Sequence, residues 1–332
     1  MNRGYVMRKA TMVAGDFPDV RCGRITHAMK LFGWRHDVVS RGYPPQFEDE
    51  YKHIDWHPYR KGFVESLTKS DGELFHVHGE LHHYFPVLDA KETGKPVILN
   101  VHDLTCSRSA SILDAFEAEC ISAADAHVWV TEEQREFAGS MGLDISKPYC
   151  IIPNYVSSKY LVEKPVLPHL GGICYEGGID PRGYTANDRD FSPFADALGD
   201  DFHIYPGFKS PDYGQVHETE LEYVMLLHRL AQHDWGLAGY HEPAESWLQS
   251  DPTKAYDYLA AGIPVIAMNT PKLMPLVEDG LAVWAESLKD VRDILKRFDV
   301  KDYKKRVILN RRKYTTERVI EPLARLYEEV LR

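Results

Sequence analysis

Short apolar segments that alternate with amphipathic helical segments constrain the fold of this chain more than any other feature. Val97–Val101, which reads Val-Ile-Leu-Asn-Val, is typical of the segments with strand character. In the first half of the chain we expect strands at 9–15, 36–40, 74–78, 97–101, 126–130 and 149–152, and helices from Cys22-Gly23 onward, at 112–124 and at 132–141. Apolar strands that alternate with helices are typical of a parallel sheet with both faces covered. The sequence therefore predicts an α/β fold.

The pattern is interrupted between Pro153 and Pro168, a segment with three prolines and no periodicity. A second series follows it, with a glycine-containing segment from Gly172, strands at 202–205, 235–239, 265–268 and 283–284, and helices at 191–198, 218–231, 288–298 and 303–332, the last with a break near 314–316. A chain of 332 residues is also long for a single core. We therefore expect two αβα domains joined by this linker. Ligands of such sheets bind at the carboxyl ends of the strands, in the cleft between the domains.

Composition narrows the function classes. Asp and Glu outnumber Lys and Arg by 50 to 39, and the resulting charge of −11 argues against a broad nucleic-acid surface. The five cysteines are scattered without a Cys-x-x-Cys pair, which predicts a reducing compartment and neither a disulfide framework nor a zinc site. No apolar run approaches the roughly 20 residues of a transmembrane helix, and the N-terminus lacks a signal-peptide core. We expect a cytoplasmic protein.

Four neighbouring histidines, His76, His78, His82 and His83, are candidates for a metal site. His76 and His78 alternate on a strand and point the same way. However, no carboxylate or cysteine completes a ligand set at a familiar spacing. We interpret them as core or cleft histidines and predict no bound metal.

The segment that begins at Asp251 has the signals of a short helix at both ends. Asp251 suits the N-cap, and Pro252 suits the first helical position, where its missing N–H costs nothing. Gly262 stands where a left-handed C-cap is expected, and an apolar strand follows it.

Two polar residues of this helix, Lys254 and Asp257, are three positions apart and therefore share a face. A helix N-terminus with a lysine is suited to binding phosphate, and a carboxylate one turn later can accept hydrogen bonds from ribose hydroxyls. The alternative is a surface αβ unit with an ordinary salt-bridging lysine.

Seven segments carry a resemblance to a known family: Gly23–Val39, Phe75–Gly79, Val101–Leu104, Ile152–Asn154, Tyr175–Ile179, Pro252–Val265 and Tyr314–Leu331. In order and spacing they resemble the motifs of the two-domain GT-B glycosyltransferases, in particular the large retaining family 4 group. The resemblance covers nearly the whole chain. It implies two Rossmann-like αβα domains that face each other across a cleft. Residues 1–160 would bind the acceptor, residues 161–313 the donor, and the helix at 314–332 would return to the first domain.

The resemblance also implies a function. The chain is expected to move a sugar from a nucleoside-diphosphate sugar, with UDP as the first expectation, to an acceptor hydroxyl, with retention and without a metal or another cofactor. The acceptor class stays open among a saccharide, a lipid-linked glycan, a small metabolite, a protein and a modified nucleic acid. The alternatives are a sugar-nucleotide epimerase on the same fold and a non-catalytic protein that binds nucleotide sugars.

Roles for individual residues follow from the matched motifs. Thr253 and Lys254 would hold the diphosphate, and Asp257 would bind the ribose. His102, a candidate catalytic residue, would lie beside the transferred sugar. Asp16, in the loop after the first strand, is the second catalytic candidate; it would contact the acceptor or merely cap that loop. The remaining donor-site candidates approach the phosphates through backbone or charge: Gly23, Gly177, Gly178 and Arg182.

One residue departs from the family pattern. Gln249 stands where the family has a glutamate that accepts hydrogen bonds from the donor sugar. Either the sugar is held differently, or Glu242 or Glu245 in the preceding loop takes over this role.

Overall fold

The computed structural model describes residues 7–14, 20–40, 55–58, 63–79, 84–102, 104, 115–179, 190–207, 213–218, 221–239 and 251–332. The chain divides into two compact units. The first unit consists of Met1–Ser157 and Thr316–Arg332, and the second of Ser158–Thr315. Each unit is built on its own parallel sheet, so the α/β prediction is confirmed.

The first unit contains a sheet of seven parallel strands. The strands are β1 (Arg8–Ala14), β2 (Trp34–Ser40), β3 (Asp55–Pro58), β4 (Phe75–Gly79), β5 (Val97–Val101), β6 (Ala126–Trp129) and β7 (Tyr149–Ile151). Their order in the sheet is β3-β2-β1-β4-β5-β6-β7. In its described N-terminal part, the helices of this unit are α1 (Val20–Met29), α2 (Phe63–Thr68), α3 (Pro86–Glu92), α4 (Ala115–Ala123) and α5 (Glu132–Ser140); two C-terminal helices, described below, also belong to it.

Both faces of this sheet are apolar. Met12 and Ile98 belong to one buried cluster, whereas their neighbours Val13 and Leu99 belong to another. Successive side chains of a strand point to opposite faces, so two apolar clusters require helices on both sides.

The second unit contains a sheet of six parallel strands. They are β8 (Ile173–Gly177), β9 (Phe202–Pro206), β10 (Gln215–Val216), β11 (Trp235–Gly239), β12 (Val265–Met268) and β13 (Ala282–Ala285), in the order β10-β9-β8-β11-β12-β13. Its helices are α6 (Ser192–Leu198), α7 (Tyr223–Leu230), α8 (Thr253–Ala261), α9 (Met274–Glu278), α10 (Leu288–Arg297) and α11 (Val300–Asn310). In the part of the chain that the structure describes, no helix is long and apolar enough to cross a membrane.

The helical segment expected over 303–332 is broken near the predicted position, 314–316, and is broken a second time at residue 320, which was not predicted. After α11 come a 3-10 turn at Arg311–Tyr314, α12 (Thr316–Val319) and α13 (Glu321–Val330). A proline in the first turn of α13 explains why α12 and α13 are separate helices, because proline cannot continue a preceding helix. The sequence analysis also missed β3, α2, α3, β10 and α9, which are short and show no clear apolar period.

Helix α13 covers one face of the first sheet. Its residues Leu323 and Leu326 are buried in the same cluster as Met12, so the end of the chain belongs to the first unit. Tyr327 anchors this helix. Its hydroxyl lies 2.6 Å from Nδ1 of His76 and 3.1 Å from Nε2 of His36.

The two histidines around Tyr327 are uncharged at neutral pH. Burial lowers the pKa of His36 to about 3 and lowers the pKa of His76 well below its ordinary value. A neutral imidazole can exchange one hydrogen bond with the hydroxyl without a buried charge. His76 is therefore a core histidine, as the sequence analysis predicted.

We expect Tyr327→Phe to destabilise the chain by about 1–3 kcal/mol, because two buried imidazole nitrogens lose their shared partner while the ring volume is kept. Urea unfolding measures this change. Tyr149→Phe is the matched control, since Tyr149 is 41% exposed and lies on the same sheet. Equal unfolding midpoints for Tyr327→Phe and the wild type would contradict the role of the hydroxyl.

Acid is expected to destabilise the chain through His36. The pKa of His36 is about 3 in the folded state, and an exposed imidazole titrates near 6.5, so the unfolded state binds more protons between these values. The stabilisation is complete above the unfolded pKa and is lost as the pH falls towards the folded one. Between pH 6.5 and 5.0 the wild type should lose about 2 kcal/mol more unfolding free energy than His36→Gln. Equal losses in the two proteins would show that His36 does not control acid sensitivity.

Candidate functional site

Gly236 lets a side chain of helix α8 lie directly against the second sheet. A Cβ at this position would come within 2.2 Å of the ring of Tyr258, so only glycine lets the helix approach. The hydroxyl of Tyr258 accepts a hydrogen bond from the N–H of Glu176 at 3.0 Å and donates one to the carbonyl of Leu237 at 3.1 Å. Tyr258 thereby connects β8 with β11.

The two strands that Tyr258 connects, β8 and β11, form the topological switch point of the sheet, where the order in which successive strands are added changes direction. They pair in register at Ile173–Trp235 and Cys174–Gly236, and the hydroxyl bridges them beyond these pairs. From here β9 and β10 extend the sheet on one side, and β12 and β13 on the other. Ligands of parallel sheets bind at such a point, at the carboxyl ends of the strands.

Lys254 lies at this edge of the sheet, in the first turn of α8. Its ammonium nitrogen is 5.3 Å from the ring centroid of Tyr175. A Cβ built on Gly177 would lie 3.6 Å from Cε and 3.9 Å from Nζ of Lys254. The structure therefore brings the predicted lysine and the predicted glycine together at the end of β8.

The backbone at Gly177 has a conformation that suits glycine, with φ at +121°. Its carbonyl accepts a hydrogen bond from the N–H of Gly207 at 3.2 Å. The hydroxyl of Tyr175 donates to the carbonyl of Gly178 at 3.2 Å. These bonds fix the backbone of the two glycines at the end of β8. Of the two half-buried residues that begin α8, Thr253 and Lys254, the contacts given above join Lys254 to Gly177.

The start of α8 differs from the prediction by one position. The helix begins at Thr253, so Pro252 is the capping residue and not the first helical one. The carboxylate of Asp251 accepts a hydrogen bond from the hydroxyl of Tyr256 at 2.6 Å. Gly262 ends the helix in the left-handed conformation with φ at +87°, as predicted.

Asp257 and Lys254 have different neighbours, although they are only three positions apart on the same helix. Asp257 is 5% exposed, and its Oδ1 accepts a hydrogen bond from the hydroxyl of Tyr223 on α7. Tyr223 in turn lies edge-on to Tyr160, with ring centroids 5.0 Å apart. The ribose-binding role of Asp257 stays a prediction, and any ribose contact has to be made beside this existing bond.

A second polar group lies at the carboxyl edge of the first sheet, around Arg21 in α1. The Arg21 side chain is buried and donates to the carbonyl of Ile152 at 2.6 Å and to Oδ1 of Asn154 at 2.9 Å. It also lies 3.3 Å from Oδ1 of Asn100. The amide of Asn100 is 2.9 Å from Nδ1 of His78. Arg21 thus joins α1, β5 and the segment after β7.

His102, a predicted catalytic residue, lies next to this group. Its N–H donates to the carbonyl of Gly79 at 3.1 Å, and its carbonyl accepts from the side-chain amide of Gln134 at 2.9 Å. Its ring centroid is 5.5 Å from that of His78. The backbone of His102 is therefore held at the carboxyl edge of the sheet.

Gly23 does not open its helix, contrary to the prediction. Helix α1 begins at Val20, so Gly23 lies one turn inside it, and its carbonyl accepts a hydrogen bond from the hydroxyl of Thr26 at 2.9 Å. The bonds of Arg21 explain the earlier start, because they hold the first turn against the sheet.

Several predicted residues lie outside the described part of the chain. They are Asp16, Arg182, Gln249, Glu242 and Glu245, together with His82 and His83. Their predicted roles stay predictions.

Three residues of these groups were missed by the sequence analysis: Arg21, Asn100 and Tyr223. Asn100 carried a usable signal, because a polar residue inside an otherwise apolar strand needs a buried partner. Arg21 and Tyr223 carried none, since their partners Asn154 and Asp257 are distant in sequence.

Solved structures that resemble this chain share its architecture along nearly its whole length. HepE from Anabaena in complex with UDP and glucose has a TM-score of 0.69 at 10% identity, over 97% of this chain and all of that one. The lipopolysaccharide outer core galactosyltransferase WaaB has a TM-score of 0.60 at 10% identity, over 96% of this chain and 99% of that one. The fold is GT-B.

UDP-GlcNAc 2-epimerase from Methanocaldococcus jannaschii is also similar to this GT-B chain. Its TM-score is 0.56 at 11% identity, over 97% of this chain and 99% of that one. No family model matches the sequence, and no curated protein matches it by sequence. The likeness therefore establishes the GT-B fold, and membership of the retaining family 4 group stays a prediction.

We expect Arg21→Lys to destabilise the GT-B chain by about 2–3 kcal/mol, because a lysine keeps the charge but cannot reach acceptors on two elements at once. Urea unfolding measures the loss. Arg318→Lys is the control, since Arg318 is exposed and belongs to the same unit. A loss no larger than that of the control would contradict the joining role of Arg21.

Proposed function

We propose that this chain is a glycosyltransferase that moves a sugar from a nucleoside-diphosphate sugar to an acceptor hydroxyl. The observation that carries the proposal is the pairing of Lys254 with the backbone of Gly177 at the switch point of the second sheet. A primary ammonium, a glycine backbone and a helix N-terminus at one edge are together suited to a diphosphate.

Charge gives this arrangement a chemical role. When the bond to the sugar breaks, negative charge develops on the departing nucleoside diphosphate. The Lys254 ammonium and the first N–H groups of α8 would stabilise that charge more strongly in the transition state than in the bound donor. We propose that they do so without a metal ion at the diphosphate and that the reaction proceeds with retention.

The solved structures support UDP as the nucleotide. HepE was solved with UDP and with UDP and glucose, and the epimerase named above acts on UDP-GlcNAc. We propose that Asp257 binds the ribose beside the hydrogen bond that its Oδ1 accepts from Tyr223. The roles proposed for Thr253, Gly178 and His102 follow the same scheme of diphosphate and sugar binding.

The acceptor is proposed to bind to the first unit. Its described carboxyl edge offers His78 and His102, whose rings lie 5.5 Å apart, beside the rigid group around Arg21. An imidazole can accept a hydroxyl proton or donate a hydrogen bond to a sugar.

A sugar-nucleotide epimerase is the second candidate, favoured by the likeness to UDP-GlcNAc 2-epimerase. An epimerase inverts the configuration of one sugar carbon, which requires acid and base groups that remove a proton and return it. The same two imidazoles, His78 and His102, offer such groups.

An assay of nucleotide release separates these functions. The chain is incubated with a panel of UDP-, TDP-, GDP- and CMP-sugars, alone and with acceptors of each class, and free nucleotide and sugar products are measured. Acceptor-dependent release of UDP supports a transferase. Conversion of one UDP-sugar into another supports the epimerase, and binding without turnover would contradict both enzymatic functions.

Lys254→Ala is expected to weaken UDP binding roughly 10- to 100-fold, because a charged contact to phosphate contributes about 1.5–3 kcal/mol. Isothermal titration calorimetry with UDP measures the change. Lys289→Ala, an exposed lysine of the same unit, is the matched control. If both variants bind UDP like the wild type, Lys254 does not contact the diphosphate.

A further inference from the structure

Three histidines far apart in sequence meet in the second unit: His203, His217 and His233. His203 is in β9, His217 follows β10, and His233 precedes β11. One ring nitrogen of each lies within 4.8 Å of the others. We propose that these three imidazoles form a binding site for a divalent transition-metal ion of the zinc type.

The distances are close to those of a metal site. Nδ1 of His203 lies 3.0 Å from Nε2 of His217. Nitrogens that share a tetrahedral zinc ion at 2.0–2.1 Å are about 3.3 Å apart. The first pair is about 0.3 Å closer than this separation. Because the three nitrogens lie within 4.8 Å of one another, the third needs a shift of about 1.5 Å at most, within the reach of side-chain rotation.

The third histidine is oriented as a metal ligand is. Nδ1 of His233 lies 2.8 Å from the carbonyl of Gly171, which can only accept, so this nitrogen carries the proton. Nε2 is then the unprotonated nitrogen, and it lies 2.7 Å from the hydroxyl of Tyr205. Histidines that bind metals commonly donate their other N–H to a backbone carbonyl in this way.

Burial keeps the three rings in the form that binds metals. It lowers the pKa of His203 and of His217, and it lowers the pKa of His233 to about 3. A metal-binding imidazole has to be unprotonated, so burial acts in the same direction as metal binding.

The ligand type selects the metal. Three imidazole nitrogens suit Zn²⁺ and its neighbours Co²⁺, Ni²⁺ and Cu²⁺, whereas Mg²⁺ and Ca²⁺ prefer oxygen ligands. A water molecule or the hydroxyl of Tyr205, which already lies at Nε2 of His233, would be the fourth ligand.

The site is at the opposite end of the sheet from Lys254. In the register of β8 and β9, His203 is paired with Cys174, three residues before Gly177. Three strand residues span about 10 Å, so the cluster lies near the amino ends of the strands, away from the proposed diphosphate site. The metal would therefore hold β9, β10 and the start of β11 together and take no part in the sugar transfer.

The competing interpretation is a cluster of histidines that is stable without a metal. Tyr205 stacks on His217 with centroids 4.4 Å apart, and His203 and His233 have the same centroid separation. Stacking and hydrogen bonds alone can keep such rings together. The test has to distinguish a metal site from this arrangement.

The experiment uses the full-length chain without a polyhistidine tag, freed of metal by a chelator. Co²⁺ is titrated while the visible absorption of tetrahedral cobalt is followed, and Zn²⁺ binding is measured by calorimetry. We expect one equivalent of either ion to bind, with tetrahedral absorption for Co²⁺. Absence of one-to-one binding would overturn the proposal.

Variants locate the ion. His217→Ala and His203→Gln should weaken Zn²⁺ binding at least about 100-fold, because each removes one of three protein ligands. His228→Ala, a half-buried histidine of the same unit, should bind Zn²⁺ like the wild type. If His217→Ala also binds like the wild type while circular dichroism indicates a native fold, the ion is not held by this cluster.

Discussion

The close contact between Tyr258 and Gly236 determines where the polar residues of the second unit can lie. Without a side chain at Gly236, the Tyr258 ring rests on the sheet and its hydroxyl reaches both β8 and β11. Helix α8 is thereby fixed over the switch point, and its first turn brings Lys254 to Gly177. A larger residue at Gly236 would lift the helix and move the ammonium away from the glycine backbone.

The first unit depends in a comparable way on buried polar groups that connect several elements. Arg21 satisfies carbonyls and amides that would otherwise be costly to bury, and its planar guanidinium can serve acceptors on different elements at once. On a face of the same sheet, Tyr327 joins α13 to two neutral histidines. Both arrangements restrict the unit to one packing of its helices, because each polar partner has to be in place.

The longer elements could be predicted because burial on both faces leaves a strong apolar signal, as in β5 and β12. The short strands β3 and β10 lack that signal, and of the two breaks in the C-terminal helices the sequence analysis predicted the one near 314–316 but not the one at residue 320. Lys254 and Gly177 could be named as candidate donor-site residues from local motifs. Their mutual contact could not, because it joins residues that are distant in sequence.

The sequence by itself determined the α/β class, the two sheets and the residues at the ends of β8 and α8, because apolar period and helix-end signals are local. The tertiary structure alone decided that Asp257 is bound by Tyr223 and that His203, His217 and His233 meet. These contacts join different elements, and their distances depend on how helices and strands pack. No spacing along the chain encodes such a distance, so only the folded chain reveals it.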